Sequence, residues 1–373
     1  MKDFLYALLI HIFQLFPITK KKVLFISYYG SQYGCNPKYL SEYITNNHKD
    51  WKVIWAFTEP QKHPITGIQK VRYHSFRYFY ELCTSQVIIT NYRMTNWFHK
   101  RNNQVYIQTW HSSLRLKMIE KDAENNLPLH YVEMAKKDSQ QIDYLLSGCD
   151  YSTSIFQRCF WYNGPILPTG TPRNDLLFHQ NDALKNKIKQ RLQIPFATKV
   201  VLYAPTFRKE NSMECYNIDY TQLIHSLQKQ ENEDWVILVR LHPHLRNLSQ
   251  SLLKDEKYTI DATNYNDIQE LLFISDVVIS DYSSLIFDFA MTLRPCFLYV
   301  PDLEAYTSKD RALYFNIREL PFPISLSNEE LCQQIASFSI NSYQKQVTSF
   351  LANIGSYETG HACEKVFNYI SSL

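Results

Sequence analysis

The chain has 373 residues, 45% of them hydrophobic, so two packed units are expected and wholesale disorder is excluded. A net charge of +3, with no long Lys/Arg run interleaved with aromatics, argues against nucleic acid as a partner. The eight cysteines are scattered without zinc-ligand spacing, and no secretory cleavage signal is present, so they are expected as reduced thiols filling small core volumes.

The first segment, from Phe4 to Phe16, is apolar but shorter than the roughly 20 residues that a spanning helix needs. Asp3, Ala7, His11 and Gln14 fall on one narrow side, and Lys20, Lys21 and Lys22 follow directly. Residues 1–20 therefore read as an amphipathic helix lying in the interface of the cell membrane, on its cytoplasmic face, with the lysines on anionic head groups. The other reading is a helix packed on the protein's own surface.

From residue 23 onward strand-like and helix-like patterns alternate, which is the signature of an α/β fold with parallel sheets. Strands are predicted at 23–27, 53–56, 87–90, 105–108, 144–146 and 165–167, and helices at 75–83 and 152–161. Asn36-Pro37 reads as the cap and first residue of another helix. The polar, lysine-rich stretch 176–198 carries no strand signal and marks a boundary. The alternation restarts with strands at 200–203, 235–239, 258–260, 276–279 and 296–300, and helices at 220–230, 267–274 and 284–293. Helices at 328–338 and 361–370 close the chain. Two doubly wound units are expected, residues 21–178 and 179–355, with a ligand cleft between them and residues 356–373 crossing back to the first.

No Gly-x-Gly-x-x-Gly, Walker loop, nucleophile elbow or His-Glu-x-x-His is present. What remains is a set of polar residues just past the carboxyl ends of predicted strands. His111 follows 105–108 and is either a general base or a hydrogen-bonded core histidine. Arg208 follows 200–203, Arg240, His242 and His244 follow 235–239, and Asp281-Tyr282-Ser283-Ser284 follows 276–279. Arg208, Arg240 and His242 beside a helix start at the serines would suit a pyrophosphate. The other reading of the serine stretch is a capped core helix with nothing bound.

The motifs together resemble the CDP-glycerol glycerophosphotransferase family, the membrane-associated primases and polymerases of teichoic acids and similar capsule polymers. The resemblance is carried by Asn36-Pro37-Lys38-Tyr39, Gln108-Thr109-Trp110-His111, Gly170-Thr171-Pro172-Arg173-Asn174-Asp175 and Tyr203-Ala204-Pro205-Thr206-Phe207-Arg208. Leu241-His242-Pro243, Ser280-Asp281-Tyr282-Ser283-Ser284, Phe287-Asp288-Phe289 and Arg294-Pro295 complete it. It implies a GT-B type fold of two Rossmann-like domains facing a cleft. It also implies transfer of glycerol phosphate from CDP-glycerol to a lipid-linked glycan or growing polymer, with release of CMP. His111 and His242 take the catalytic roles. Thr206, Arg208, Arg240, Asp281, Tyr282, Ser283, Ser284, Arg173 and Asp288 take the substrate-binding ones. No cofactor is firmly implied, although Asp281 and Asp288 could recruit Mg²⁺. Departures from the family pattern fall at Ser112-Ser113-Leu114, at 310–316 and at Pro321-Phe322-Pro323. The alternatives are a CDP-ribitol enzyme, a GT-B glycosyltransferase using a sugar nucleotide, and a non-catalytic membrane-bound scaffold.

Overall fold

The computed structural model describes residues 2–208, 213–242, 245, 253, 257–309 and 312–372. Pro243, His244, Asp310 and Arg311, which belong to motifs above, lie outside the described residues. The chain forms two compact units, one of residues 1–113, 119–175 and 355–373, the other of residues 114–118 and 176–354.

Unit 1 is built on a seven-stranded sheet. Its strands are β1 (Thr19–Ile26), β2 (Lys52–Phe57), β3 (Gln69–Arg72), β4 (Ser85–Thr90), β5 (Val105–Gln108), β6 (Tyr144–Leu146) and β7 (Ile166–Leu167). All pairings are parallel, in the order β3-β2-β1-β4-β5-β6-β7. Alternation along each strand sends side chains to two cores, as parallel strands covered on both faces require. Val23 and Phe25 of β1 join Leu40 and Ile44 of α2 (Cys35–Asn47) and Val366, Phe367 and Ile370 of the C-terminal helix Ala362–Ser371. Leu24 and Ile26 face the opposite core, with Tyr78, Phe79 and Leu82 of α3 (Phe76–Thr84). Asp175 ties the C-terminal helix down, its two oxygens accepting the N–H groups of Ala362 and Cys363 at 2.8 Å each. β3, a short polar strand at the sheet edge, was not predicted.

The N-terminal helix α1 (Lys2–Phe13) corrects two expectations. It does not divide into one apolar and one polar face. Leu9 and Ile10 are buried in the α3 core, while Phe4, Leu5, Leu8 and Ile12 are exposed, so both sides are apolar. Nor do the three lysines share a surface, because β1 begins at Thr19 and draws them into the sheet. Lys22 is buried and paired with Glu81 at 2.8 Å, while Lys20 and Lys21 stay exposed, Lys21 pairing with the exposed Asp50 at 2.6 Å. Among the described residues no helix is long and apolar enough to cross a membrane.

Unit 2 carries a six-stranded parallel sheet, ordered β10-β9-β8-β11-β12-β13. Its strands are β8 (Lys199–Tyr203), β9 (Trp235–Val239), β10 (Thr259–Asp261), β11 (Val277–Ser280), β12 (Cys296–Tyr299) and β13 (Ile324–Ser325). The wholly buried β11 lies between β8 and β12. The helix after it, Leu285–Ala290, is six residues long rather than the expected ten-residue span 284–293. Its end tightens into i to i−3 hydrogen bonds from Met291, Thr292 and Leu293, and Leu293 then turns left-handed, at φ 56°, ahead of Arg294-Pro295. Strand order reverses between β1 and β4 in unit 1 and between β8 and β11 in unit 2. Ligands of open α/β sheets bind at the carboxyl side of such switch points.

Candidate functional site

In unit 1, β5 ends at Gln108, whose side chain folds back over the following turn. Its Oε1 accepts the Trp110 N–H at 3.0 Å and its Nε2 donates to the Tyr92 carbonyl at 2.9 Å. Trp110 sits in the left-handed region, at φ 50°, which disfavours a bulky residue by roughly 1–2 kcal/mol. Asn36 donates from Nδ2 to the carbonyls of Thr109 and Trp110, at 3.2 and 3.0 Å. It does not cap its helix as expected. α2 starts two residues earlier, after Gly34, and Asn36 is fully buried in its first turn.

His111 is half-buried, and its Nδ1 lies 3.3 Å from the carbonyl oxygen of Asn91, the residue after β4. A carbonyl only accepts, so Nδ1 carries the proton in this contact and Nε2 is the nitrogen able to take one. The ring stacks on Tyr92 at 5.1 Å and lies 4.4 Å from Trp110. Tyr28 and Tyr29 lean on Tyr92 at 5.0 and 5.2 Å. Burial pushes all three phenols up, Tyr29 to about 12, so they stay protonated at neutral pH and act as hydrogen-bonding groups rather than bases.

Arg173, read as a substrate contact, is buried in unit 1. Its N–H donates to Asn36 Oδ1 at 3.1 Å and its Nη1 to Cys35 Sγ at 3.6 Å. The rest of that motif seats the chain's end, since Thr171 N–H and Asn174 Nδ2 donate to Glu358 at 3.0 and 3.4 Å.

In unit 2, Thr206, Arg208, Asp281 and Tyr282 come together at the switch point. Both Asp281 oxygens accept the Thr206 N–H, at 2.9 and 3.0 Å. Arg208 donates from Nη2 to Asp281 at 2.9 Å, from Nε to Asp302 at 2.6 Å, and from Nη1 to the Thr206 carbonyl and hydroxyl at 2.7 and 2.6 Å. Burial works against its charge, but the two carboxylates outweigh that and raise its pKa. The guanidinium also stacks 4.9 Å from both Tyr282 and Tyr306, which lie face to face at 3.6 Å. Arg208 is thus the centre of an internal network rather than an outward-pointing cation. Arg240 and the exposed His242 follow β9, the strand beside β8, and the His242 ring lies 5.5 Å from Phe207.

A family model described as CDP-Glycerol:Poly(glycerophosphate) glycerophosphotransferase matches residues 8–372. The chain belongs to this family. The teichoic acid poly(glycerol phosphate) polymerase of Bacillus subtilis (strain 168) is 34% identical over 367 residues, covering 95% of this chain and 49% of that protein. The chain thus spans about half the length of that relative. The teichoic acid glycerol-phosphate transferase of Staphylococcus aureus (strain NCTC 8325 / PS 47) is 34% identical over 363 residues, covering 93% of this chain and 92% of that one. The teichoic acid ribitol-phosphate primase of Bacillus spizizenii (strain ATCC 23059 / NRRL B-14472 / W23) is 27% identical over 369 residues, covering 96% and 93%. The solved structure of the wall teichoic acid polymerase TagF superposes with a TM-score of 0.86 at 31% identity, covering 98% of this chain and 93% of that one.

Within this glycerophosphotransferase family member the segment that follows the first sequence departure meets the second in unit 2. The segment 114–118, which follows Ser112-Ser113, pairs antiparallel with 312–314: Met118 N–H donates to the Ala312 carbonyl at 2.9 Å and Tyr314 N–H to Leu116 at 2.8 Å. Leu116 N–H reaches Ser284 Oγ at 3.3 Å, and Lys117 Nζ lies 5.2 Å from the Tyr306 ring. Ser284 stands at the N-cap position of its short helix but makes no side-chain capping bond, while Ser283 Oγ accepts the Leu285 N–H at 3.4 Å. Asp288 is fully buried and accepts from Gln269 Nε2 at 3.1 Å. Asp281 is engaged by Thr206 and Arg208, and Asp288 is enclosed beside Gln269. Among the described residues no group of three or more His, Cys, Asp or Glu could hold a metal ion. Asp302 and Glu358 escaped the sequence reading. Asp302 was findable, since it lies just past the end of β12, where the same strand-end rule had found Asp281.

Proposed function

We propose that the chain transfers glycerol phosphate from CDP-glycerol to a hydroxyl of a growing teichoic acid or lipid-linked glycan. The acceptor oxygen forms a bond to the phosphorus that bears glycerol, the bond from that phosphorus to the bridging oxygen breaks, and CMP leaves. The acceptor proton goes to His111 Nε2. The observation that carries this reading is the His111 Nδ1 contact with the Asn91 carbonyl, which selects the tautomer a general base requires. Unit 2 supplies the donor site in this reading. Ser283, Ser284, Arg240 and His242 face the nucleotide phosphates, and the Arg208, Asp281 and Asp302 network holds their loops in place. Protein positive charge then relieves the phosphate charge as CMP departs. Glycerol is favoured over ribitol because the relatives at 32–34% identity are named for glycerol phosphate, while those named for ribitol phosphate stand at 27% and 30%.

The same proposal includes docking on an anionic membrane surface at its cytoplasmic side. Phe4, Leu5, Leu8, Ile12, Leu15 and Phe16 are all exposed in the N-terminal segment, with Leu15 84% exposed, and the exposed Lys20 follows them in sequence. Such a ridge suits insertion into the head-group region, with the lysine on lipid phosphate. The test is CMP release in the presence of lipid-linked acceptor from CDP-glycerol, CDP-ribitol and common sugar nucleotides, assayed side by side. Release from CDP-glycerol alone supports the reading, and turnover of a sugar nucleotide instead would replace it with a glycosyltransferase.

A further inference from the structure

We propose that Asn36 is a positioning residue for His111, its side-chain amide holding the left-handed turn at Trp110 and thereby aiming the imidazole. The inference rests on the general-base role of His111 proposed above. Trp110 at φ 50° is a conformation that a bulky residue keeps only where its surroundings impose it. Here its backbone is tied at both ends. The N–H is held by Gln108 Oε1 at 3.0 Å, and the carbonyl receives Asn36 Nδ2 at 3.0 Å and Thr109 Oγ1 at 2.9 Å. That carbonyl belongs to the peptide joining Trp110 to His111, so the orientation of the bound amide sets where the histidine begins. Asn36 uses both amide hydrogens on this turn, the second on Thr109 at 3.2 Å, and its Oδ1 accepts the Arg173 N–H at 3.1 Å.

The chemistry of the position is therefore specific. It needs two donors facing two carbonyls and one acceptor facing an N–H, in full burial, at the reach of a two-carbon side chain. Aspartate matches the shape but sets an oxygen against the two carbonyl oxygens. Asn36 also sits in the first turn of α2, directly after Cys35, which is itself left-handed at φ 58°, as are Tyr28 and Tyr29 beyond β1. Residues after β1, β4 and β5 are thus linked by bonds that end on the histidine: Tyr28 N–H donates to Asn91 Oδ1 at 3.0 Å, and the Asn91 carbonyl meets His111.

The test compares Asn36→Asp with the milder Thr109→Val, which removes only the hydroxyl donated to the Trp110 carbonyl. Nitrogen-15 spectra of the His111 ring report its tautomer, and steady-state assays with calorimetry separate kcat from CDP-glycerol affinity. The expected result for Asn36→Asp is a shift of His111 away from the Nδ1–H form, a kcat lowered roughly 10–10²-fold, and a donor Kd within about twofold of the parent's. Thr109→Val should move both readouts the same way by less, and if Asn36→Asp fails to fold, Asn36→Gln, which keeps the amide but changes its reach, is read in its place with the same expected shift. An unchanged tautomer in a folded variant would overturn the proposal, even if kcat fell, because a merely structural role predicts that pattern. Full activity in His111→Ala would sink the general-base role instead, and the tautomer shift would still be read on its own.

Discussion

Replacing Arg208 by lysine separates two uses of that side chain that the motif alone merges. Lysine keeps the positive charge but loses the planar fork. In the structure the fork serves Asp281, Asp302 and Thr206 at once, with contacts between 2.6 and 3.2 Å. One ammonium reaches one of the two carboxylates well, leaving the other with its neutral partners. The side chain of Asp281 is 2% exposed and that of Asp302 24%, so Asp281 has little recourse to water. Losing a charge-assisted bond to a buried carboxylate is worth about 2–3 kcal/mol, and removing the cation altogether with Arg208→Met about 3–5 kcal/mol. For a unit of this size each kcal/mol lowers Tm by roughly 2–4 °C, so Arg208→Lys should melt about 4–12 °C below the parent. Melts with and without CDP-glycerol make the assay, and the ligand-induced rise should be preserved in Arg208→Lys. A variant as stable as the parent but with donor affinity lost tenfold would refute the reasoning, since Arg208 would then act on the phosphates and not on the loop.

Lys22→Met should destabilise the protein by about 1.5–3 kcal/mol, the worth of a charge-assisted bond to buried Glu81, which keeps Arg77 and Gln69 as partners, and leave vesicle binding intact; loss of vesicle binding in a folded Lys22→Met would return that lysine to the membrane. Replacing Phe4, Leu8 and Leu15 together by serine should release the protein from anionic vesicles in a flotation assay without a change in CDP-glycerol affinity, and continued flotation would remove the apolar ridge from the account. Ser284→Ala should lower stability by no more than about 1 kcal/mol, since the hydroxyl makes no capping bond and accepts only the long bond from the Leu116 N–H, while donor binding weakens by about 1 kcal/mol in calorimetry. A lower melting point with unchanged donor affinity would make the serine structural.

Continuous β-branched runs were legible because nothing else in the chain competes with them: Val105–Gln108 and Trp235–Val239 were placed residue for residue, as was the helix Tyr220–Gln230. β3 was missed because Gln69 to Arg72 is mostly polar, and only its pairing with β2 at the sheet edge makes it a strand. The polar residues at strand ends were found as a class, yet their partners were not. Whether Arg208 points at a ligand or at Asp302 depends on a residue 94 positions away. Asn36 was read as a cap because local sequence offers that role, while its real partners, the carbonyls of Thr109 and Trp110, come from a distant strand end. Lys22 was assigned to lipid by its neighbours Lys20 and Lys21, whereas Glu81 of α3 claims it. Long-range pairing of polar groups is set by tertiary contact, and composition or periodicity carries no trace of it.

The most direct measurement of the central claim is CMP release from CDP-glycerol in the presence of lipid-linked acceptor by the parent and by His111→Ala, with donor affinity measured on the same samples. The account predicts that His111→Ala binds CDP-glycerol as the parent does and releases CMP roughly 10²–10⁴-fold more slowly, the usual worth of a general base. Parent-like release by His111→Ala, or loss of donor binding in that variant while His242→Ala retains it, would contradict the assignment of base to unit 1 and donor site to unit 2.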